Sequence, residues 1–225
     1  SSSSYVVGLL NALYAFQGKH VNAEKLAREA CKIEIDILKK PIGKQDQYIA
    51  AYGGFEYIQF NADGSVYVDP IICKEEIKRN LENRLLLFYT GITRSADPIL
   101  AKQTKNMASF VAKRKIMSEM VYLAKEMRNA LSKNKLNNFG EMLHNNWILK
   151  TQMAESVSNP QIDDWYKLAR KNGSIGGKLL GAGGGGFLLF YAPEKKHNKI
   201  INALSELSYQ EFSFEPQGSK IIFID

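Results

Sequence analysis

Residues 181–187 read GAGGGGF and lie between the apolar runs GGKLL and FLLFYA. Glycine has no Cβ, so a run of four lets the backbone pass close to another chain or a ligand. A flexible linker would be flanked by polar residues. Here Leu179-Leu180 precede the glycines and Phe-Leu-Leu-Phe-Tyr follows them, which embeds the loop in a sheet. Its N–H groups are then available to a phosphate or a reacting hydroxyl. The loop is not of Walker A type, because no Lys-Ser/Thr follows. A dinucleotide fingerprint would need a helix where the next strand begins.

The rest of the chain has to supply the layers around that sheet. After four serines, Val6, Leu9, Leu10, Leu13 and Phe16 fall on one helical stripe, which predicts a core-facing helix over Tyr5–Phe16. Asn22 is placed to cap a second helix carrying Leu26, Ala30, Ile33 and Ile37, ended by Pro41 and Gly43. FEYIQFNADGSVYVDPI reads as a hairpin around Asn61–Gly64, and ENRLLLFYTG as a short buried strand. Helices are expected over Thr104–Leu131, Leu136–Ser156 and Pro160–Lys171, the last with proline in its first turn. YQEFSFEPQGSKIIFID reads as a closing hairpin. This order is α+β rather than a regular βαβ alternation, with a break near residues 74–83. Two lobes are expected, 1–80 and 81–225.

Composition narrows the partners. Lys plus Arg exceeds Asp plus Glu by 30 − 23 = 7, which favours anionic ligands. Much of the excess sits on the segment 105–133, where Glu119 and Glu126 interrupt the positive run, so a solvated helix face is preferred to a nucleic-acid stripe. Cys31 and Cys73 lack a CxxC partner, which argues against a disulfide framework and for a reducing cytoplasm. No apolar run is long enough to span a bilayer.

Three places can carry chemistry. Asp46, between Gln45 and Gln47 in PIGKQDQYIAAYGGF, is either a base that orients a hydroxyl or a loop carboxylate serving the next helix. Glu34 and Asp36 in KIEIDILKK point roughly 200° apart on a helix, so only one can face a site. Glu34 is the inward candidate if a metal is reached from that side, and a surface carboxylate otherwise. The third place is the glycine loop. Arg94, in YTGITRSAD, can pair with an anion at a strand end or with Asp97. His20, His144 and His197 lack metal-ligand spacing; His144, Trp147 and Trp165 read as packing residues.

Taken together, the opening serines, Glu34 followed by Asp46 with Pro41 between them, and GAGGGGF resemble the GHMP small-molecule kinases (galactokinase, homoserine kinase, mevalonate kinase and phosphomevalonate kinase). In that family a GLGSSS loop opens a helix and cradles ATP, a Glu and an Asp follow, and a second glycine loop comes from the C-terminal lobe. The resemblance implies the two-lobed GHMP fold, here lacking the first strands of the N-terminal lobe, with Ser1–Ser4 as the tail of the nucleotide loop. GLLNALYAFQGK, PIGKQDQYIAAYGGF, LFYTGITRSA and IGGKLLGAGGGGFLLFYAP are similar to the branch that phosphorylates D-glycero-D-manno-heptose 7-phosphate on its anomeric hydroxyl.

The cofactors so implied are ATP and Mg²⁺, and the partner is a small-molecule sugar phosphate rather than nucleic acid or membrane. Ser1, Ser2 and Ser3 would bind ATP, Ser2 and Glu34 would hold Mg²⁺, and Asp46 would be the catalytic base. Lys44, Gln47, Arg94, Gly183, Gly184 and Gly185 would meet the substrate. Alternatives are a GHMP kinase for another sugar or a mevalonate-like alcohol, and a non-catalytic relative that senses sugar and nucleotide.

Overall fold

The computed structural model describes residues 2–93 and 111–223. By its internal contacts the chain forms two units, one of residues 2–71 with 214–223 and one from 72 to 213. The division falls at 71/72 rather than at 80/81. Residues 75–82 go with the second unit because the Lys74 N–H donates to Asn134 Oδ1 (3.0 Å) and Leu81 is buried.

In the first unit, α1 (Ser2–Phe16), α2 (Ala23–Cys31) and α3 (Gln45–Tyr52) enclose Val7, Leu26, Ala27, Ala30, Tyr48 and Ala51. Asn22 caps α2 as expected, its side chain accepting from the Lys25 N–H at 2.9 Å. The strands β1 (Glu56–Phe60) and β2 (Val66–Pro70) form the expected antiparallel hairpin, with Ile58 opposite Val68. Its turn is closed by Asn61, whose N–H donates to Ser65 O, and by Asp63, which accepts from the Ser65 N–H and hydroxyl.

The buried face of α1 matches the expected stripe only in part. Val6 and Leu10 pack against the core beside the enclosed Ser3 and Val7, whereas Leu9, Leu13 and Phe16 are 45%, 50% and 91% exposed. The helix carries apolar side chains around most of its circumference, so periodicity could not choose the face. Contacts chose it: Tyr14 donates its hydroxyl to Glu29 of α2 at 2.7 Å.

The second unit contains α4 (Glu75–Glu82), β3 (Leu85–Tyr89), α5 (Val111–Ser132), α6 (Phe139–Thr151), a 3₁₀ turn (Glu155–Val157) and α7 (Pro160–Lys171). Then come β4 (Gly176–Leu179), β5 (Phe187–Tyr191), α8 (His197–Ala203) and β6 (Ser208–Gln210). Four antiparallel strands run in the order β4-β5-β3-β6. Alternation sends Leu86 and Phe88 of β3, Leu188 and Phe190 of β5 and Leu179 of β4 to one face, against Trp147, Ile162 and Tyr166. The expected start of the long helix at Thr104 lies outside the described residues. The next helix is shorter than the sequence suggested, covering Phe139–Thr151 instead of reaching Ser156.

Among the described residues the closing hairpin does not form. Ser208–Gln210 pairs with β3, and residues 214–223 belong to the first unit. There Glu215 O accepts from the Gly54 N–H, Ser219 donates to Ala50 O, and Phe214 stacks on Phe55 with centroids 5.7 Å apart. Pro216 has no N–H to give a ladder. Gly53 and Gly218 make the close approach possible: a Cβ on Gly53 would lie 2.0 Å from the Gln217 carbonyl carbon, and one on Gly218 2.1 Å from Ala51 O.

Candidate active site

In the first unit the site is built at a helix irregularity. The helix following α2 widens into a π turn over Lys32–Ile37, with the Leu38 N–H donating to Ile33 O and the Lys40 N–H to Glu34 O. Such turns re-aim side chains and are frequent at functional sites. Here Glu34 is turned inward and is 2% exposed, while Asp36 is exposed. Ser2 Oγ donates to Glu34 Oε1 at 2.9 Å, and Gln47 Nε2 donates to Glu34 Oε2 at 2.6 Å. Glu34 makes no ion pair among the described residues. Both of its oxygens are thus met by neutral donors, and no cation stands against the carboxylate among the described residues. Gln47 is fully buried, and its Oε1 has no partner.

Both features fit a hard divalent cation, which prefers oxygen ligands and takes few of them from the protein when phosphates supply the rest. Among the described residues no group of three or more His, Cys, Asp or Glu side chains is arranged to hold a metal by itself.

Asp46 lies in the first turn of α3, about 100° around the helix from Gln47. It is exposed and makes no hydrogen bond among the described residues. Sequence reasoning placed Gln47 at the substrate; the structure instead turns it inward onto Glu34. Lys44 has yet another setting. Its Nζ donates to Gly64 O at 3.1 Å, and it lines a cavity of about 1080 Å³ with Lys25, Arg28, Lys32 and Tyr48, which Asp46 does not line. Ser3 is buried in α1, and Ser2 stands at the helix N-terminus, where the first amides lack intrahelical acceptors. Ser1 and Arg94 lie outside the described residues.

Burial pushes the Cys31 thiol up to about 11 and raises that of Cys73, and both cysteines are free. Neither is an activated nucleophile. His144 packs as expected, its ring stacked on Tyr166 and Nδ1 2.7 Å from the Tyr166 hydroxyl; burial lowers its pKa.

The glycine loop of the second unit joins β4 to β5, and only part of its backbone is open. The Gly184 N–H donates to Val157 O at 3.0 Å, and the Gly186 N–H is shared between Ile92 O and Thr90 Oγ1. Thr90 Oγ1 in turn donates to Gly186 O at 2.8 Å, latching the loop to the end of β3. The Gly183 and Gly185 N–H groups have no acceptor among the described residues. Glycine is required here for packing as well as for openness: at Gly183 (φ +120°) a Cβ would lie 2.7 Å from Val157 Cα, and at Gly185 it would lie 2.5 Å from Ile92 O.

Two lysines that sequence reasoning passed over stand at the neck of this loop. Lys150 Nζ donates to Gly181 O at 2.5 Å and approaches Leu179 O at 3.5 Å. Lys178 lies on β4 between the buried Gly177 and Leu179. A lysine inside an otherwise apolar run was the available signal for the second; Lys150, in the last turn of α6, had none.

Comparison with known proteins places the two halves in one family. The family description "GHMP kinases N terminal domain" matches residues 1–54, and "GHMP kinases C terminal" matches residues 127–210. The chain is 35% identical over 221 residues to the D-glycero-alpha-D-manno-heptose 7-phosphate kinase of Campylobacter jejuni, covering 97% of this chain and 65% of that protein. Among solved structures, a sugar kinase from Campylobacter jejuni superposes with a TM-score of 0.74 at 33% identity, over 96% of this chain and 62% of that one. A structure described as a D-glycero-D-manno-heptose 1-phosphate kinase from Bacteriodes thetaiotaomicron gives a TM-score of 0.74 at 25% identity, over 97% of this chain and 61% of that one. The chain thus spans a little under two thirds of the length of these relatives.

Proposed function

Because the chain belongs to the GHMP kinase family, we propose that its protein transfers the terminal phosphoryl group of ATP to a sugar phosphate. The acceptor is D-glycero-D-manno-heptose 7-phosphate, phosphorylated on its anomeric hydroxyl to the 1,7-bisphosphate. The observation that carries this reading is the enclosed Glu34 carboxylate, held by Ser2 and Gln47, with an open carboxylate, Asp46, one position from Gln47 on α3. Kinship with the Campylobacter jejuni kinase over 97% of this chain supports the choice of sugar.

In this reading Ser1, Ser2 and Ser3, with the first amides of α1, take the triphosphate at a helix N-terminus. Ser2 Oγ and Glu34 are the residues for Mg²⁺, which when bound neutralises charge on the β- and γ-phosphates. Gln47 keeps the Glu34 carboxylate aimed. Asp46 orients the anomeric hydroxyl and accepts its proton as the new P–O bond forms and the bond to the departing ADP breaks. Lys44, Arg94 and the backbone of Gly183, Gly184 and Gly185 are the proposed contacts to the acceptor; the Gly184 carbonyl is the group it can still offer, its N–H being engaged by Val157. A cytoplasmic location goes with this reading, since both cysteines are free thiols. Among the described residues no helix is long and apolar enough to cross a membrane.

The test is ADP release with Mg-ATP against heptose 7-phosphate, unphosphorylated heptose, galactose and mevalonate. Turnover with heptose 7-phosphate well above the other three is the expected result. Equal or better turnover with galactose or mevalonate would overturn the choice of acceptor, and ATP binding without turnover of any of them would favour a sensing role.

A further inference from the structure

We propose that Lys178 and Lys150 together read a phosphate group at the neck of the glycine loop, and that this is the phosphate the acceptor sugar already carries. The proposal rests on the kinase reading above and names a recognition element within it.

On β4, Gly177 packs against the Phe190 ring and Leu179 lies in the core, so strand alternation sends Lys178 to the opposite face. There it is partly buried, and among the described residues it meets no carboxylate and no hydrogen-bond acceptor. A partly buried ammonium without a partner is costly. Its charged neighbour is another cation: Lys150, whose Nζ lies 3.5 Å from the carbonyl of Leu179, the residue next to Lys178, and is fixed to the loop by Gly181 O. Two ammonium groups brought together without a carboxylate define a place for a bound anion. The electrostatics agree, because burial and the Lys178 charge push Lys150 down to about 7, and burial lowers Lys178 as well. A phosphate dianion would compensate both cations, and the Gly183 and Gly185 N–H groups add donors on the same loop.

The acceptor's phosphate fits this pair better than the nucleotide's. A metal-bound triphosphate needs oxygen ligands for its cation, which Ser2 and Glu34 can supply and a pair of ammonium groups cannot. The loop unit has no cluster of carboxylates among its described residues, and a sugar monophosphate needs only positive charge and N–H donors.

Anion binding would hold both lysines protonated, so the complex must take up a proton at a pH where free Lys150 is mostly neutral. Calorimetric titration of the 225-residue chain at pH 8, in two buffers of different ionisation enthalpy, measures this without any substitution. Heptose 7-phosphate should take up on the order of one proton, and unphosphorylated heptose none. Binding of heptose 7-phosphate without uptake overturns the pair and leaves the kinase reading intact. Uptake with Mg-ADP but not with heptose 7-phosphate overturns the assignment to the acceptor. If heptose 7-phosphate does not bind while inorganic phosphate still draws the proton, the pair stands and the choice of sugar fails; inorganic phosphate without uptake overturns the pair as well.

Substitution gives a second reading. Lys178→Met should weaken heptose 7-phosphate about 10- to 100-fold, as for loss of a charge-assisted contact, without changing the affinity for unphosphorylated heptose. Lys178→Arg should restore most of it. Equal losses for both sugars would mean a structural role and overturn the proposal.

Discussion

Substituting Gly183 by alanine separates two uses of glycine in the loop, because Gly181 provides an internal control. Both residues have positive φ, +120° at Gly183 and +75° at Gly181, so alanine at either carries a backbone strain of about 1–3 kcal/mol. At Gly181 the added Cβ meets nothing within 4 Å. At Gly183 it lies 2.7 Å from Val157 Cα and 2.8 Å from Val157 O, both backbone atoms that no rotamer change can move. Overpacking of that kind costs about 1–3 kcal/mol. Moving Val157 O also endangers its bond from the Gly184 N–H, worth about 1 kcal/mol. The backbone strain is no smaller at φ +120° than at +75°, which lies nearer the left-handed well, so with the contacts added Gly183→Ala should be less stable than Gly181→Ala by at least about 2–4 kcal/mol. For a chain of this size that difference corresponds to about 5–15 °C in Tm. Thermal unfolding by circular dichroism, with both variants beside the parent, reads it directly. Indistinguishable Tm values would refute the argument that Gly183 is glycine because Val157 leaves no room.

Asp46→Asn should lower kcat by about 10²–10⁴ if Asp46 is the base, with Tm unchanged because the exposed carboxylate has no partner among the described residues; near-parental turnover removes the role. Glu34→Gln should raise the Mg²⁺ concentration giving half-maximal activity by about tenfold or more, the loss of one charged ligand. Its metal-free form should unfold no earlier than the parent, since the buried charge is gone and Gln47 can flip to present its orphan Oε1; early unfolding would show that Glu34 is structural instead. Lys150, at about 7 in the folded chain against about 10.4 when unfolded, binds fewer protons folded than unfolded across that interval. Stability should therefore rise from pH 7 towards pH 10 relative to Lys150→Met, and parallel Tm profiles for the two proteins would refute the shift.

Local signals carried the elements that could be read in advance. Asn22 capping α2, Pro160 opening α7, the Asn61–Gly64 turn and the apolar runs around GAGGGG each decide structure within a few residues, and each appears where expected. What escaped depends on partners remote in sequence. Ser219 finds Asn11 and Ala50 instead of a neighbouring strand, and no pattern in residues 209–225 encodes that choice.

The candidate site divides along the same line. Periodicity establishes that Glu34 and Asp36 cannot both face inward, but the π turn and the donors Ser2 and Gln47, 32 and 13 residues away, decide that Glu34 does. The glycine run announces a close approach without naming what approaches: Val157 and Ile92 occupy two of the places that openness alone would have given to a ligand. A residue type predicts its chemistry only when its competitors for contact are known. For that reason Gln47, expected at the substrate, donates to Glu34 instead, and Lys178, which sequence reasoning passed over, stands out only once its lack of a partner among the described residues is known.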